Sequence, residues 1–457
     1  MRPRGSLLLG LVVLAAGCAL YSDVSISQLV VDPSNIDHGG DLPSMLRKYD
    51  YLNAVLSARH IDARSQQRAS DLAALGSAEF ISGRFDVARK HLRGALDLQP
   101  FRTTYADIAW DLSQLEYLSN NFDASLDWAK LASEHGTQVK QWHMDYLAAL
   151  RDVDVYRFSG RTTERVTMKF GRPDVPRINV MVNAKQNAVA MIDSGAVLSI
   201  ISSSVASALP VRRLGNFEGT FAGLLGEPIP VQFGMLDSVD IGGMHIANVP
   251  VAIMTDDKMQ FFVTGKKPFK MDLLLGAHLL KEFRIELDFQ RGLMRLQRLT
   301  PAMHKPVANQ NLFYEHFRPA VRGMVNRHGW YLFLLDTGSE ITFLNLRELS
   351  LLPPSVSSPT LHNAVLQGLG GAEKHGSKLE DVEIGIDRWA GAFRTLPMYE
   401  SAAYEHTTGI LGENYLKNFD VVIDFGRMRI DLAPVGMIAL EDEPRVPSRD
   451  TAGRVTP

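Results

Sequence analysis

Two short and similar segments carry the residue types needed for acid–base chemistry. Asp193-Ser194-Gly195 follows an apolar run at 189–192, and Asp336-Thr337-Gly338 follows another at 332–335. An apolar strand can deliver a carboxylate at its end, a hydroxyl can anchor the loop, and glycine permits a tight turn or close approach. Two carboxylates held together cannot both ionise comfortably, so one keeps a proton while the other is charged. Such a pair could activate water against a carbonyl group.

The triplets belong to a longer internal repeat. Residues 273–276, Leu-Leu-Leu-Gly, correspond to 409–412, Gly-Ile-Leu-Gly, and both final glycines lie 136 residues apart, as do Asp288 and Asp424. A lone Asp-Thr-Gly is typical of an ordinary turn, so the matched spacing is what favours catalysis. Asp288 and Asp424 lie far along the chain from the triplets, and we interpret them as partners of local backbone or basic groups.

Together these elements resemble the aspartic peptidases, in particular retropepsin-like domains fused in tandem as in the bilobal pepsins. The resemblance covers roughly residues 155 to 435. It implies that Ser194 and Thr337 anchor the two loops to each other, and that Ser339 contacts the dyad through its hydroxyl. Ala196 takes the matching place in the first half, so the halves are not electrostatically equal. The implied site consists of the catalytic dyad Asp193 and Asp336 with the supporting residues Ser194, Gly195, Thr337, Gly338 and Ser339.

The same family carries a hairpin flap between each triplet and the later glycine element. Glycine-bearing stretches at 221–226 and 367–371 lie at about that place, and glycine suits a mobile hairpin tip. Neither stretch has the tyrosine characteristic of pepsin flaps, which favours retropepsin-like flaps. The predicted flap residues are Gly223, Gly226, Gly368 and Gly370.

The surrounding sequence predicts the elements that hold this site. Between residues 41 and 150, leucine and alanine recur at helical spacing, and residues 83–88 are echoed 37 residues later at 120–125. This spacing resembles the tetratricopeptide pattern, with a generic helical bundle as the alternative. Beyond residue 150, short runs rich in Val, Ile and Phe indicate strands. The predicted fold is multidomain: an all-α helical-repeat domain at 41–150, then an all-β bilobal aspartic peptidase with retropepsin-like β-barrel halves at 151–300 and 301–440.

The chain ends carry different signals. Arg2 and Arg4 precede an apolar run at 7–16, and Leu-Ala-Ala-Gly-Cys at 14–18 resembles the lipobox of bacterial lipoproteins. That resemblance implies a signal peptide at 1–18 and lipidation of Cys18, and Ala19 favours the outer membrane, with the body facing the periplasm. An ordinary cleaved signal is the alternative. Residues 19–40 are predicted to be a tether, and the charged tail at 441–457 to be disordered.

The amino-acid composition excludes several classes of partner and cofactor. The chain has 48 Lys and Arg against 51 Asp and Glu, which argues against nucleic acid as a partner. A single cysteine excludes intrachain disulfides and cysteine-based zinc clusters, and His-Glu-x-x-His is absent from the sequence, so we expect no metal or cofactor. The sequence predicts an aspartic endopeptidase of envelope or periplasmic proteins, with its active site within one chain, a protein or peptide substrate, and a possible protein partner on the helical domain. The alternative is a non-catalytic peptide-binding or scaffolding lipoprotein.

Overall fold

A computed structural model describes most of the chain between Ala16 and Val435. The described residues are 16–17, 24–29, 41–47, 51–61, 63, 68–170, 174–223, 227–261, 269–347, 352, 360–367, 373–400 and 407–435. Cys18, Gly226, Gly368, Gly370 and the tail at 441–457 lie outside them. The N-terminal part contains two short strands, β1 (Ala16–Gly17) and β2 (Ser25–Gln28). Residues 25–28 thus form a strand within the segment 19–40, which the sequence predicts to be a tether.

A helical region follows, and its turns explain the 37-residue echo. Gly83 and Asn120 end the first helix of two successive hairpins, and both adopt a left-handed backbone, with φ of 77° and 58°. Gly76 lets Leu92 of the facing helix approach closely, because a Cβ there would lie 2.7 Å from Leu92 Cγ. The tetratricopeptide assignment stays a prediction. None of the described helices is both long and apolar enough to cross a bilayer. The helices are α1 (Leu42–Arg47), α2 (Tyr51–Ala58), α3 (Ala69–Ile81), α4 (Phe85–Asp97), α5 (Arg102–Leu118), α6 (Phe122–Glu134) and α7 (Gln141–Ala149).

The first strand-rich half contains a sheet that closes on itself. Its elements are β3 (Arg157–Gly160), β4 (Thr163–Thr167), β5 (Arg177–Val182), β6 (Gln186–Asp193), β7 (Ser199–Ser202), α8 (Ser203–Ala208), β8 (Arg212–Ala222), β9 (Pro228–Ile241), β10 (Met244–Met254), β11 (Gln260–Phe261), β12 (Phe269–Lys270), β13 (Leu273–Gly276), α9 (Ala277–Leu280), β14 (Phe283–Asp288) and β15 (Leu293–Arg298). Strands β5, β6, β13, β7, β10 and β9 pair in that order, and β9 returns to β5. This closure makes a barrel.

The second half repeats the arrangement. After a turn of 3-10 helix at Pro301–Met303 come β16 (Leu312–Glu315), β17 (Arg318–Val325), β18 (His328–Leu335), β19 (Phe343–Asn345), β20 (Thr360–Gln367), β21 (Glu373–Ile386), β22 (Trp389–Tyr399), β23 (Gly409–Leu411), α10 (Glu413–Leu416), β24 (Phe419–Asp424) and β25 (Arg429–Pro434). Strands β17, β18, β23, β19, β22 and β21 pair in that order, and β21 returns to β17. The predicted pair of β-barrel halves is confirmed. At the edge of this half, β1 pairs with β20 and β2 with β22.

A third sheet joins the halves through strands that come from both. Its order is β25, β24, β14, β15 and β4, and the antiparallel β14 and β24 lie at its centre. The carboxylate of Asp288 accepts the Arg291 N–H at 2.8 Å, and that of Asp424 accepts the Arg427 N–H at 2.9 Å. Both carboxylates therefore pair with local backbone groups, as the sequence analysis predicts.

The helical region packs on both halves. Tyr117 of α5 stacks on His278 of α9, with ring centroids 4.3 Å apart, and its carbonyl oxygen lies 3.1 Å from His278 Nε2. On the second half, Phe85 of α4 packs against Tyr314 of β16 at 5.6 Å. The helices therefore bridge the two barrels.

Candidate active site

Two matching strand pairs deliver the predicted catalytic carboxylates. Asp193 ends β6, which runs parallel to β13 with Gly276 opposite Asp193. Asp336 directly follows β18, and its N–H donates to the Leu411 carbonyl of β23 at 3.0 Å. Gly276, which ends β13, and Gly412, which directly follows β23, leave no room for a side chain. A Cβ on Gly276 would lie 2.5 Å from the Leu198 carbonyl carbon, and one on Gly412 would lie 2.5 Å from the Ile341 carbonyl carbon. This close packing explains why an apolar-apolar-Gly element accompanies each triplet.

The hydroxyl residues of the two triplets hold the loops together. Ser194 Oγ donates to the Leu335 carbonyl at 2.7 Å, and Thr337 Oγ1 donates to the Ile192 carbonyl at 2.8 Å. In return, the Thr337 N–H donates to Ser194 Oγ and the Ser194 N–H to Thr337 Oγ1, both at 3.1 Å. Each hydroxyl thus reaches across to the other half, and the exchange is reciprocal. The anchoring roles inferred for Ser194 and Thr337 match these contacts.

The glycines of the triplets allow each carboxyl to rest on the opposite loop. A Cβ on Gly195 would lie 2.5 Å from Asp336 Oδ2, and a Cβ on Gly338 would lie 2.6 Å from Asp193 Oδ1. Both distances are far below van der Waals contact, so no side chain fits at either glycine. The structure therefore brings Asp193 and Asp336 together across the pseudo-twofold axis, and both are fully buried at 0% exposure.

The two carboxyls have different hydrogen-bond environments. Asp193 Oδ1 accepts two backbone N–H groups, from Gly195 and Ala196, each at 2.9 Å. Asp336 Oδ1 accepts the Gly338 N–H at 2.9 Å, whereas the Ser339 N–H donates to the backbone carbonyl of Asp336 at 3.3 Å. Because N–H donors stabilise the charged form of a carboxyl, the first loop favours ionisation more strongly than the second.

Burial and mutual repulsion shift the titration of the pair. Burial raises the pKa of Asp193 to about 7, although the N–H groups of Ala196 and Gly195 oppose that shift. Burial also raises the pKa of Asp336 well above its ordinary value, and the negative charge of Asp193 raises it further. Asp193 is therefore the member that ionises first, and Asp336 is the member that retains the proton.

Two further ionisable residues lie near the dyad and escaped the sequence analysis. Arg318 begins β17, is only 3% exposed, and its positive charge lowers the pKa of both aspartates. Glu413 begins α10, and its N–H donates to the Ser339 carbonyl at 2.8 Å. Burial, then the charges of Asp174 and Asp336, raise the pKa of Glu413. The repeat offset could have drawn attention to Glu413, because Ala277 is its counterpart in the first half; we find no such signal for Arg318.

Ser339 differs from the role that the family resemblance implied. Its hydroxyl donates to the Ile341 carbonyl at 2.8 Å rather than to a dyad carboxyl. Ser339 is fully buried, so this hydroxyl fastens the loop that follows Asp336. The two halves therefore differ in their backbone donors: the Ala196 N–H donates to the Asp193 carboxyl, whereas the Ser339 N–H donates to the backbone carbonyl of Asp336.

A long hairpin lies at the place predicted for the first flap. Strands β8 and β9 pair up to Ala222 and Pro228, and the Gly223 N–H donates to the Glu227 carbonyl at 2.8 Å beyond them. In the second half, β20 and β21 form the corresponding hairpin, which pairs up to Gln367 and Glu373. Gly226, Gly368 and Gly370 lie outside the described residues, and closure of either hairpin over a substrate stays a prediction.

Comparison with known proteins agrees with this geometry for the first half. Residues 178–282 match the family model of the gag-polyprotein putative aspartyl protease. The matched segment runs from β5 to α9 and includes Asp193 and Gly276. Residues 178–282 are therefore similar to an aspartyl protease domain, which supports a peptidase function in general terms. Among curated proteins, none matched the chain.

Two solved structures are similar to parts of the chain. One is a retropepsin-like aspartic protease from Rickettsia conorii, 19% identical, covering 31% of this chain and 96% of its own, with a TM-score of 0.20. The other is an aspartic proteinase from Irpex lacteus, 11% identical, covering 60% of this chain and 98% of its own, with a TM-score of 0.34.

The side chains around the dyad determine which chemistry the site can perform. Within them, no three His, Cys, Asp or Glu side chains are grouped so that they could hold a metal ion. The site instead offers one carboxyl that ionises near neutrality and a second that stays protonated. Such a pair can remove a proton from one reactant and donate a proton to another at the same time.

Proposed function

We propose that the chain is an aspartic endopeptidase that hydrolyses peptide bonds of envelope or periplasmic proteins. The observation that carries the proposal is the pair of buried carboxyls, each resting on the glycine of the opposite loop and held by reciprocal hydroxyl contacts. The aspartyl-protease match over 178–282 supports the same reaction class. The active site is complete only when both halves of one chain are present.

The difference between the two carboxyls supports different roles for them in the proposed reaction. Ionised Asp193 accepts a proton from a water molecule as the water oxygen bonds to the peptide carbonyl carbon, while Asp336 donates its proton to the carbonyl oxygen. The resulting tetrahedral diol collapses when the C–N bond breaks. Asp193 then gives its proton to the leaving nitrogen, and Asp336 recovers one from the diol hydroxyl. Both residues return to their starting states, and neither forms a covalent bond to the substrate.

The lipobox resemblance supports an envelope location for this activity. Cleavage before Cys18 would remove β1, and lipidated Cys18 would then anchor the chain to a membrane, with the outer membrane favoured by Ala19. Because β2 already begins at Ser25, the chain between the lipid and the folded body spans at most ~25 Å. The second half would then work close to the membrane surface, and the helical region would be available for a protein partner.

The test replaces each aspartate singly by asparagine, which keeps the shape and removes the titration. Asp193→Asn and Asp336→Asn should each reduce kcat on an unstructured protein substrate by about 10³-fold. Asp257→Asn is the matched control, because that side chain is 71% exposed and lies outside the proposed site. A pepstatin-type inhibitor should bind the wild type and lose affinity for both dyad variants.

The outcomes separate catalysis from simple binding. Undiminished cleavage by either dyad variant would contradict the shared-dyad mechanism. A protein that binds peptides and the inhibitor but shows no turnover at any pH would instead be the non-catalytic peptide-binding lipoprotein.

A further inference from the structure

The first flap hairpin, defined here as β8 together with residues 228–233 of β9, has one buried face and one exposed face. Gly219, Phe221 and Phe233 are buried, whereas Glu218 and Thr220 on the opposite face of the same strand are exposed. A flap that closes over a substrate needs freedom to move. The element that packs against its buried face therefore affects how far the hairpin can move.

Helix α7 of the helical region covers that face. The Trp142 ring stacks on Phe233 with centroids 5.8 Å apart and planes 18° apart, and it lies 6.2 Å from the Phe221 ring. Tyr146, one turn further along α7, packs on Phe233 at 4.9 Å. Aromatic pairs in this distance range stabilise a contact beyond the apolar area that they bury.

Gly219 makes this contact possible from the hairpin side. A Cβ at Gly219 would lie 2.7 Å from Phe233 Cζ and 3.2 Å from Trp142 Cε3. Even a methyl group would therefore push the two rings away from the strand. The φ of Gly219 lies outside the left-handed region, so this position requires glycine for its small size and not for its backbone conformation.

The far side of α7 is fixed to the rest of the molecule. His143 is buried between the rings of Trp110 and Trp142, with centroids 5.7 Å and 6.0 Å away. The helical region also reaches the second half, where Tyr117 packs on Phe317 at 5.0 Å and Tyr51 donates to Glu315. The hairpin is thus tied, through the helices, to the barrel that supplies Asp336.

We propose that α7 braces the first flap hairpin and that Trp142 is a positioning residue for peptide cleavage. This rests on the proposed peptidase function and extends it, because it assigns the helical region a part in substrate handling. The brace restricts the hairpin to a narrow range of positions relative to the dyad. Without it, the hairpin samples open positions, and the peptide is held less tightly over the two carboxyls.

The helix-side test compares two half-buried tryptophans of the helical region. Trp142→Ala should speed amide hydrogen exchange in 217–222 and 228–233 and raise KM for a peptide substrate about tenfold, with kcat and the pH profile nearly unchanged. Trp142→Phe should bring the exchange rate and the KM most of the way back to their wild-type values. Trp128→Ala is the matched control, because that ring belongs to α6, packs near Arg93 of α4, and should leave the hairpin's exchange unchanged.

The hairpin-side test perturbs the same contact from the other partner. Gly219→Ala should reproduce the faster exchange and the higher KM, whereas Thr220→Ala on the exposed face should do neither. Unchanged exchange in Trp142→Ala, or faster exchange with an unchanged KM, would overturn the proposal. A variant that cleaves better than the wild type would also overturn it, because α7 would then obstruct the cleft.

Failure of the proposed function would be seen separately. If the wild type does not cleave peptides, the exchange measurements still decide whether α7 holds the hairpin. The affinity for a pepstatin-type inhibitor then replaces KM as the readout of positioning, and an unchanged affinity in Trp142→Ala would overturn the positioning role.

Discussion

Replacing Asp193 by asparagine should remove a pH-dependent destabilisation that the wild type carries at its dyad. The side chain is fully buried, and burial raises its pKa from 3.8 to about 7 in the folded protein. Below about pH 4 the carboxyl is protonated in both the folded and the unfolded chain. As the pH rises towards 7, the unfolded chain releases the proton while the folded chain keeps it, so the free energy of unfolding falls.

The size of this fall follows from the shift. Moving from 3.8 to about 7 is roughly three pKa units, and each unit corresponds to about 1.4 kcal/mol, which gives on the order of 4 kcal/mol. Asparagine has no proton to release, so Asp193→Asn should escape this loss. Its amide oxygen can still accept the N–H groups of Gly195 and Ala196. Relative to the wild type, the variant should therefore gain on the order of 4 kcal/mol between about pH 4 and pH 8.

Urea unfolding at a series of pH values measures this difference. Wild type, Asp193→Asn and the exposed control Asp257→Asn should have equal slopes against urea concentration, so that midpoint shifts report stability. The control should follow the wild-type pH dependence. If the stability difference between Asp193→Asn and wild type is the same at about pH 4 and about pH 8, Asp193 does not carry the raised pKa, and the assignment of roles in the dyad loses its basis.

Two other predictions follow from the site. Because cleavage needs ionised Asp193 and protonated Asp336, kcat/KM should rise as the pH rises through about 7 and fall only at higher pH; a peptide assay showing peak activity near about pH 4 and none at pH 7 would contradict this. Gly338→Ala should abolish cleavage and lower the urea midpoint, because its methyl group would overlap the Asp193 carboxyl. Gly94→Ala is the control: its Cβ would lie 3.4 Å from its nearest neighbour, so cleavage should be unchanged, and the midpoint should stay the same or rise because alanine favours the interior of α4.

The two catalytic loops could be predicted because the sequence contains an internal repeat. Each triplet follows an apolar run that becomes a strand, and each later glycine lies where its strand runs parallel to the first. The residues that must be small or carry a hydroxyl, such as Gly195 and Thr337, are determined by direct contacts with the opposite catalytic loop. Such local requirements leave a recognisable pattern in a single sequence.

Features that depend on contacts between distant elements left no such pattern. Arg318 lies at the start of β17, and no motif in the adjacent sequence indicates that its charge acts on the dyad. Ser25–Gln28 lack the apolar alternation of a strand because they pair at a sheet edge, and so the segment resembles a tether. The contact between Trp142 and Phe233 joins the helical region to the first barrel, and the sequence pattern of each region gives no indication that the other packs against it.

Duplication within one chain is what allows the two aspartates to have different roles. In a dimer of identical chains, both loops offer the same donors, so neither aspartate is distinguished before substrate binds. Here Ala196 directs its N–H to the carboxyl of Asp193, while the N–H of Ser339 goes to a backbone carbonyl. One carboxyl therefore has one more donor than the other, and charged hydrogen bonds of this kind contribute roughly 1.5–3 kcal/mol. That difference is enough to place the negative charge on Asp193 before any substrate arrives, and so to assign the base and the acid in advance.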